Sequence, residues 1–200
     1  MLGNPTRDRR AERREATRQE ILEAAWEQVR ENGLAALSLR DLARTVGMQP
    51  PSLYGYFDSK NAIYDAMYAQ GVQAFVDGRP ETLPEEPVAG LKSMAHYFVG
   101  FCTADPARYQ LLFQRTIPGF EPSEASYEIS KRGLEETAQW LATFGITEPR
   151  SLDLYTALVT GLADQQISND PGGRRWIRIV DDAIEMFYAH TNNKKKGRTR

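Results

Sequence analysis

The sequence predicts an all-α protein of about nine helices, in which a three-helix helix-turn-helix unit precedes a larger C-terminal helical bundle. Apolar residues recur three or four positions apart in one segment after another, which is the spacing of one helix face. Capping and breaking residues stand at the ends of these segments. No segment shows the apolar–polar alternation that is typical of a half-buried strand. The predicted class is therefore all-α.

The composition indicates a soluble protein of one or two domains. Of the 200 residues 41% are hydrophobic, and no apolar run approaches the roughly 20 residues that a membrane span needs, so we expect no membrane partner. The polar, arginine-rich start lacks the apolar core of a secretory signal. Cys102 is the sole cysteine, which suits the reducing cytoplasm, and we expect it to be a small buried side chain.

The net charge of −2 hides an uneven distribution along the chain. Residues 1–60 carry ten basic and nine acidic residues, residues 61–193 carry ten and eighteen, and the last seven residues add five positive charges. An acidic body beside a locally basic head is compatible with binding nucleic acid at one end. We expect residues 1–14 and 191–200 to be disordered basic segments.

The head is expected to span residues 15–62. Its first helix follows the basic segment. Thr17 and Glu20 form a capping box, and apolar residues along one helix face follow them. Asn32-Gly33 ends this helix, because glycine tolerates the left-handed conformation of a helix C-terminus.

Residues 38–60 predict two more helices in a helix-turn-helix. Ser38 and Asp41 form a second capping box, and Gly47 ends the helix that they begin. The paired prolines at 50–51 fit the first turn of the next helix, and its inward face is predicted to be Leu53 and Phe57. Such a second helix can lie in the major groove of DNA.

The polar residues of this second helix suit DNA contacts. Gln49 can bond to adenine, and a proline or serine can contact a thymine methyl group. Tyrosine hydroxyls and a lysine at a helix N-terminus can bind phosphates. The arginines before residue 15 can reach phosphates or the minor groove, or remain a solvated tail.

These residues resemble the DNA-binding domain of the tetracycline-repressor (TetR/AcrR) family over about residues 15–65. The resemblance lies in Ser-Leu-Arg-Asp-Leu-Ala at 38–43, Val-Gly-Met at 46–48 and above all Leu-Tyr-x-Tyr-Phe-x-Ser-Lys at 53–60. It implies a three-helix head, a ligand-binding and dimerisation domain behind it, and a repressor that leaves DNA when a small molecule binds. Carried over residue by residue, it implies DNA contacts from Ser38, Arg40, Gln49, Pro51, Ser52, Tyr54, Tyr56 and Lys60.

One departure from that family pattern affects base recognition. The family often has a small polar or glycine pair where this chain has Pro50-Pro51. The double proline removes two N–H donors, so base reading there is apolar or comes from Gln49 and Ser52. The operator sequence therefore does not transfer from the resemblance.

The remainder, residues 63–190, is predicted to be a helical ligand-binding and dimerisation domain. A fourth helix begins near Lys60, capped by Asp58 or Ser59, and runs to about Phe75. The proline-rich stretch 77–88 is predicted to be a loop. Further helices are expected at 88–103, from Asp105-Pro106, at 123–144, at 148–167 and at 174–190.

Aromatic and apolar side chains of this domain could line an effector pocket or form an ordinary helical core. His96 is a candidate polar group of the pocket. The sequence holds no cluster with metal-ligand spacing, no nucleophile elbow and no phosphate-binding loop, so we expect no metal, no cofactor and no enzymatic activity. The candidate ligand-binding residues are Met94, Phe98, Phe101, Tyr109, Phe113, Trp140 and Tyr155.

The last two predicted helices are amphipathic, and a second copy of the chain would complete a four-helix bundle with them. A dimer is expected because one short helix reads too few base pairs, whereas two heads on a palindrome roughly add their binding free energies. The candidate dimer residues are Leu158, Gly161, Leu162, Val180, Ile184 and Phe187.

The sequence thus predicts a cytoplasmic, homodimeric transcriptional repressor that a small apolar or amphipathic ligand releases from a palindromic double-stranded operator. An activator or a ligand-independent DNA-binding protein is an alternative within the same class. An enzyme built on the C-terminal bundle, and a helical module that binds protein through its helix-turn-helix, are alternatives from other classes.

Overall fold

The computed structural model describes the backbone of residues 5–198 and the side chains of residues 9–192. Within that range the chain forms nine α-helices and two 3₁₀ turns without a strand, which confirms the all-α class. None of the described helices combines the length and the apolar character needed to cross a membrane. The helices are α1 (Pro5–Asn32), α2 (Leu39–Thr45), α3 (Pro50–Leu53), α4 (Lys60–Asp77), α5 (Pro87–Ala104), α6 (Pro106–Phe113), α7 (Glu124–Thr143), α8 (Pro149–Asn169) and α9 (Val180–Arg198), and the 3₁₀ turns are Leu34–Ala36 and Ile177–Ile179.

Most predicted helix ends are confirmed by their capping contacts. The hydroxyl of Ser38 accepts a hydrogen bond from the Asp41 N–H at 3.3 Å at the start of α2. Gly33 and Gly47 adopt positive φ angles of 82° and 67°, the left-handed conformation that glycine reaches without steric cost. Of the two candidate caps of α4, Ser59 is the one that accepts a hydrogen bond, from the Ala62 N–H at 3.1 Å.

The predicted disorder of residues 1–14 is wrong for the described residues 5–14, because α1 begins at Pro5 rather than after Thr17. Arginine, glutamate and alanine, which dominate this stretch, are strong helix formers, and proline suits the first turn. The hydroxyl of Thr17 bonds to the carbonyl oxygen of Arg13 within the helix instead of capping it. Residues 1–4 lie outside the described part of the chain.

The predicted limits of the last helix, 174–190, also differ from the structure. A 3₁₀ turn at Ile177–Ile179 comes first, and α9 runs from Val180 to Arg198. The expected disorder of residues 191–200 is therefore wrong as far as Arg198, and the final two residues are not described.

The chain divides into two compact units whose limits differ from the predicted boundary at residues 62/63. The first unit contains the described residues up to Gly71 together with Gln110–Tyr127, and the second contains Val72–Tyr109 and the described residues from Glu128 onward. Contacts between residues far apart in sequence explain why 110–127 joins the first unit. Asp65 accepts hydrogen bonds from the Ser123 N–H at 2.7 Å and from the Ser126 hydroxyl at 3.0 Å.

The second unit is organised around one buried apolar cluster formed by α5, α7, α8 and α9. Four of the predicted dimer residues, Leu162, Val180, Ile184 and Phe187, lie inside this cluster. That prediction is wrong for these four residues, because a side chain buried in its own subunit has little surface to offer a partner. Leu158 packs against the edge of the cluster and Gly161 is exposed.

Candidate nucleic-acid interface

Helix α3 exposes its N-terminal residues and buries its C-terminal ones. Gln49, Pro50, Pro51 and Ser52 are all exposed, whereas Leu53 is 1% exposed. Gln49 has extended backbone angles at the N-cap position and its side chain makes no capping hydrogen bond. The carboxamide of Gln49 is therefore not occupied in capping α3, and the whole entry to α3 lies on the surface of the first unit.

The turn between α2 and α3 is held by close backbone contacts. The N–H of Met48 donates a 2.7 Å hydrogen bond to the carbonyl oxygen of Ala43, and Ala43 is fully buried. The small alanine side chain allows α2 and α3 to approach each other. The backbone N–H of Ser52 donates to the carbonyl oxygen of Gln49, which closes the first turn of α3.

Two arginines of α1 bind the backbone that leaves α3. Arg14 donates from Nη2 to the carbonyl oxygen of Gly55 at 2.5 Å, and Arg18 donates from Nη1 to the carbonyl oxygen of Tyr56 at 2.6 Å. The guanidinium carbons lie 4.9 Å from the Tyr56 ring centre and 4.3 Å from the Phe57 ring centre, respectively. Both arginines therefore position the exit of α3.

This positioning role is not predicted by the sequence, in which Arg14 falls in an expected disordered segment and Arg18 matches no motif. Both arginines stand on a rigid element because α1 begins before Thr17.

The predicted phosphate-binding residues differ in their exposure. Tyr54 is 52% exposed, while Tyr56 is half-buried beneath Arg14. The ammonium group of Lys60 donates a 3.0 Å hydrogen bond to the carbonyl oxygen of Ala35, and two further N–H bonds remain on that nitrogen. Lys60 thus has a structural contact in addition to any contact with DNA.

The predicted contacts on α2 lie at its first turn. Arg40 is exposed, and Ser38 is half-buried at the N-cap. All eight predicted DNA-contact residues belong to the first unit. With α3 exposed between them, the arrangement has the parts that a helix-turn-helix needs, namely a recognition helix, flanking hydrogen-bond donors and a buried apolar support.

The predicted effector-binding residues are distributed over both units, unlike the predicted DNA-contact residues. Met94 and Tyr155 belong to the buried cluster of the second unit, and Phe98 and Trp140 pack against it. Phe101 stacks edge-on against Phe75 at 5.1 Å, and Tyr109 is 1% exposed in the second unit. Phe113 is assigned to the first unit.

A cleft of about 410 Å³ opens on the second unit, and one predicted effector residue, Trp140, lines it. Its polar lining includes two exposed carboxylates, of Glu81 and Glu85. Its apolar lining includes Leu83 and Phe144, both of which belong to or pack against the buried cluster.

Arg79, next to Trp140, is a buried arginine that the sequence does not predict. The side chain of Arg79 is 7% exposed and donates to Glu136 at 2.9 Å and to the carbonyl oxygen of Gly133 at 2.8 Å. Its guanidinium carbon is 5.3 Å from the Trp140 ring centre. Burial lowers the pKa of Arg79, and the Glu136 carboxylate opposes that shift. The residue falls in a proline-rich loop, where no periodic pattern signals a buried side chain.

His96, the candidate polar group of the pocket, is paired with a carboxylate at the surface. Its ring is exposed, and Nε2 lies 2.7 Å from the Asp181 carboxylate. The hydrogen bond from His96 and the ammonium of Lys92 hold the pKa of Asp181 below its usual value. Among the described residues, no group of three or more His, Cys, Asp or Glu side chains is placed to hold a metal ion.

Comparison with known proteins confirms the resemblance seen in the sequence. Residues 21–67 match the family described as bacterial regulatory proteins, tetR family. The HTH-type transcriptional regulator Rv1816 of Mycobacterium tuberculosis is 27% identical over 116 residues, which cover 56% of this chain and 50% of that protein. The chain thus spans about half the length of the curated relatives that it matches.

Solved structures share the fold. A tetR-family transcriptional regulator from Streptomyces coelicolor superposes with a TM-score of 0.68 at 18% identity, covering 88% of this chain and 80% of that one. The transcriptional regulator FadR from Bacillus subtilis, solved in complex with stearoyl-CoA, gives a TM-score of 0.65 at 15% identity, covering 84% and 96%.

Proposed function

We propose that this chain, whose residues 21–67 match the tetR family of bacterial regulatory proteins, is a one-component DNA-binding transcriptional regulator. The observation that carries the proposal is the exposed entry to α3, in which Gln49, Pro51 and Ser52 face solvent above a buried Leu53. A helix presented in this way can enter the major groove and contact base edges. A cytoplasmic location accords with this function.

The DNA contacts divide into two kinds. Gln49, Pro51 and Ser52 read base edges, since they stand at the exposed N-terminal end of α3. Ser38, Arg40, Tyr54, Tyr56 and Lys60 contact the sugar-phosphate backbone, which fixes the register but carries no sequence information.

The regulator acts as a homodimer through the outer faces of α8 and α9. Leu154, Leu158 and Gly161 follow one another at helical spacing on α8, and their side chains are exposed or half-buried. Met186 on α9 is 70% exposed, so its side chain is available to a partner. Two such faces related by a two-fold axis make a self-complementary four-helix contact.

A dimer links DNA binding to an effector. Two heads bind a palindrome together only when their separation matches one helical turn, about 34 Å. A small apolar or amphipathic ligand that prefers another separation lowers DNA affinity by the same factor by which DNA lowers the affinity for the ligand. The regulator is therefore a repressor that this ligand releases from its operator. The complex of FadR with stearoyl-CoA supports an effector of this kind by analogy of fold alone.

The test is selection of genomic fragments with the purified full chain, followed by footprinting. A palindromic footprint is expected, and selection of no fragment above background would contradict the proposal. Tyr54→Ala should weaken binding, whereas Tyr127→Ala, which alters a tyrosine of similar exposure at 47%, should not. Release of the footprinted fragment by a ligand, and increased transcription from it in that ligand's presence, would distinguish a repressor from an activator.

A further inference from the structure

The hydroxyl of Tyr155 is a hydrogen-bond donor in an apolar environment. Tyr155 is 3% exposed in the core of the second unit, and its ring centre is 5.7 Å from that of Phe187. Its hydroxyl group is fully buried and has no partner among the described side chains and backbone groups. Burial raises the pKa of Tyr155 well above its usual value, so the hydroxyl keeps its proton and remains a donor.

An unpaired buried hydroxyl is costly. Leaving such a group without a partner costs about 1–3 kcal/mol, and buried polar groups in native proteins are nearly always bonded. The indole N–H of Trp176 is a second buried donor without a partner, and Trp176 packs against the same apolar cluster. Two unpaired donors in or against one apolar cluster call for an acceptor that the described part of the chain does not provide.

The charges near Tyr155 limit the chemistry of that acceptor. Arg79 lies within electrostatic range of Tyr155, but its guanidinium is already bonded to the Glu136 carboxylate and to the carbonyl oxygen of Gly133. An anionic ligand would thus find no unpaired cation there, and a buried unpaired charge is strongly unfavourable. A cationic ligand would bring another donor to a site that already has unpaired donors.

The cleft on the second unit further restricts the charge and polarity of the ligand. Leu83 and Trp140 line the cleft and pack against the cluster that contains Tyr155, and Phe144 lines the cleft and belongs to the cluster. Glu81 and Glu85 provide the charges in its lining, and both are acidic. These carboxylates disfavour an anion in the cleft, while its aromatic and aliphatic walls favour an apolar body.

We propose that the second unit binds a neutral, mainly apolar effector whose carbonyl-type oxygen, as in a ketone, ester or lactone, accepts the hydrogen bond of the Tyr155 hydroxyl. The apolar body of the effector lies against Trp140 and Phe144. The inference rests on the proposed function in that it names the chemical class of the effector of that regulator.

The first test needs no ligand and compares two tyrosines by thermal unfolding. Tyr155→Phe removes an unpaired hydroxyl, so the variant should melt at or above the temperature of the wild type. Tyr97→Phe removes a hydroxyl that donates to the carbonyl oxygen of Phe75 at 2.6 Å, and should lower the melting temperature by about 2–4 °C. A drop for Tyr155→Phe as large as that for Tyr97→Phe would overturn the proposal.

The second test measures binding to the full-length chain by calorimetry. The probes are straight-chain 2-alkanones of six to fourteen carbons, with alkanoates and alkylamines of matched length. At least one ketone should bind saturably, about tenfold more tightly than its matched acid and amine and about tenfold more tightly than it binds Tyr155→Phe. Preference for the acid or the amine, equal affinity for Tyr155→Phe, or no binding of any ketone would overturn the inference.

The two proposals fail separately. A chain that selects genomic DNA but binds no ketone keeps the proposed function and refutes the effector class. A chain that binds a ketone through Tyr155 but selects no DNA supports the binding site and refutes the regulator.

Discussion

Arg18 of α1 and Tyr56 at the exit of α3 are joined by a 2.6 Å hydrogen bond from the guanidinium to the backbone carbonyl oxygen. A carbonyl just beyond a helix has no partner within the helix, and here a charged donor from another helix provides one. The bond ties the orientation of the candidate recognition helix to α1, so the basic side chains of the first unit do not all serve as phosphate contacts.

Arg18→Ala should therefore weaken DNA binding without changing its salt dependence. The variant should also lose about 1 kcal/mol of stability, because the hydrogen bond and the stacking on Phe57 are partly exposed. Denaturant unfolding and fluorescence anisotropy at several salt concentrations measure the two effects. Arg44→Ala, which removes an exposed ion pair with Asp41, is the stability control and should be nearly neutral. A salt slope reduced by one in Arg18→Ala would assign Arg18 to phosphate instead.

Lys60→Ala should show both a structural and an electrostatic effect. Loss of the bond to the Ala35 carbonyl should lower the free energy of unfolding by about 0.5–1.5 kcal/mol. Loss of a phosphate contact should weaken binding to all DNA sequences and flatten the salt slope by about one. Lys92→Ala, in the second unit, should leave the slope unchanged. An unaltered slope in Lys60→Ala would leave Lys60 with its structural role alone.

Gln49→Ala should cost about 1–3 kcal/mol of affinity for the footprinted site and relax the preference at one base position. The exposed side chain makes no capping bond, so stability should stay within about 0.5 kcal/mol of the wild type. Binding to a library randomised at each operator position measures the effect. Gln73→Ala serves as a control outside the first unit. An equal loss on operator and random DNA would show that Gln49 does not read a base.

Leu154→Glu combined with Met186→Glu should dissociate the proposed dimer, because charges on the outer faces of α8 and α9 would be buried without partners. Sedimentation equilibrium should show a monomer, and operator affinity should fall because each head then binds alone. Leu134→Glu, at an exposed leucine of α7, is the matched control and should remain dimeric. A dimer in the double variant would place the interface elsewhere.

The pair of His96 and Asp181 should make stability depend on pH in the acid range. The pKa of Asp181 is lowered, chiefly by the hydrogen bond from His96 and also by Lys92. The folded pKa thus lies below the unfolded one, so the stabilisation is present above about pH 4 and is lost as the pH falls through the folded pKa. The stability difference between wild type and His96→Ala should therefore shrink below about pH 4, as acid titrations of unfolding would show. His190→Ala, at another exposed histidine, should show no such trend.

Local signals explain what could be predicted from the sequence. Ser38, Gly47 and Pro50 act through the backbone of their own turn, so their effect does not depend on distant residues. Leu53 is buried at the last residue of α3, as its helical spacing predicts, whereas Phe57 is buried beyond the end of α3, where helical spacing does not apply. The start of α1 differs from the prediction because a polar stretch without an apolar stripe has the composition of a disordered segment, although its residues are good helix formers and can extend an existing helix.

The sequence by itself determined the all-α class, the helix-turn-helix with its exposed α3 entry, and the resemblance of residues 21–67 to the tetR family, since these depend on the identity and spacing of residues close together in the chain. Tertiary structure alone decided that Asp65 binds the start of α7, that Arg14 and Arg18 hold the exit of α3, that Arg79 is buried against Glu136, and that Tyr155 retains an unused donor. Those outcomes depend on which helices meet, and helical periodicity identifies the apolar face of a helix without identifying what packs against it.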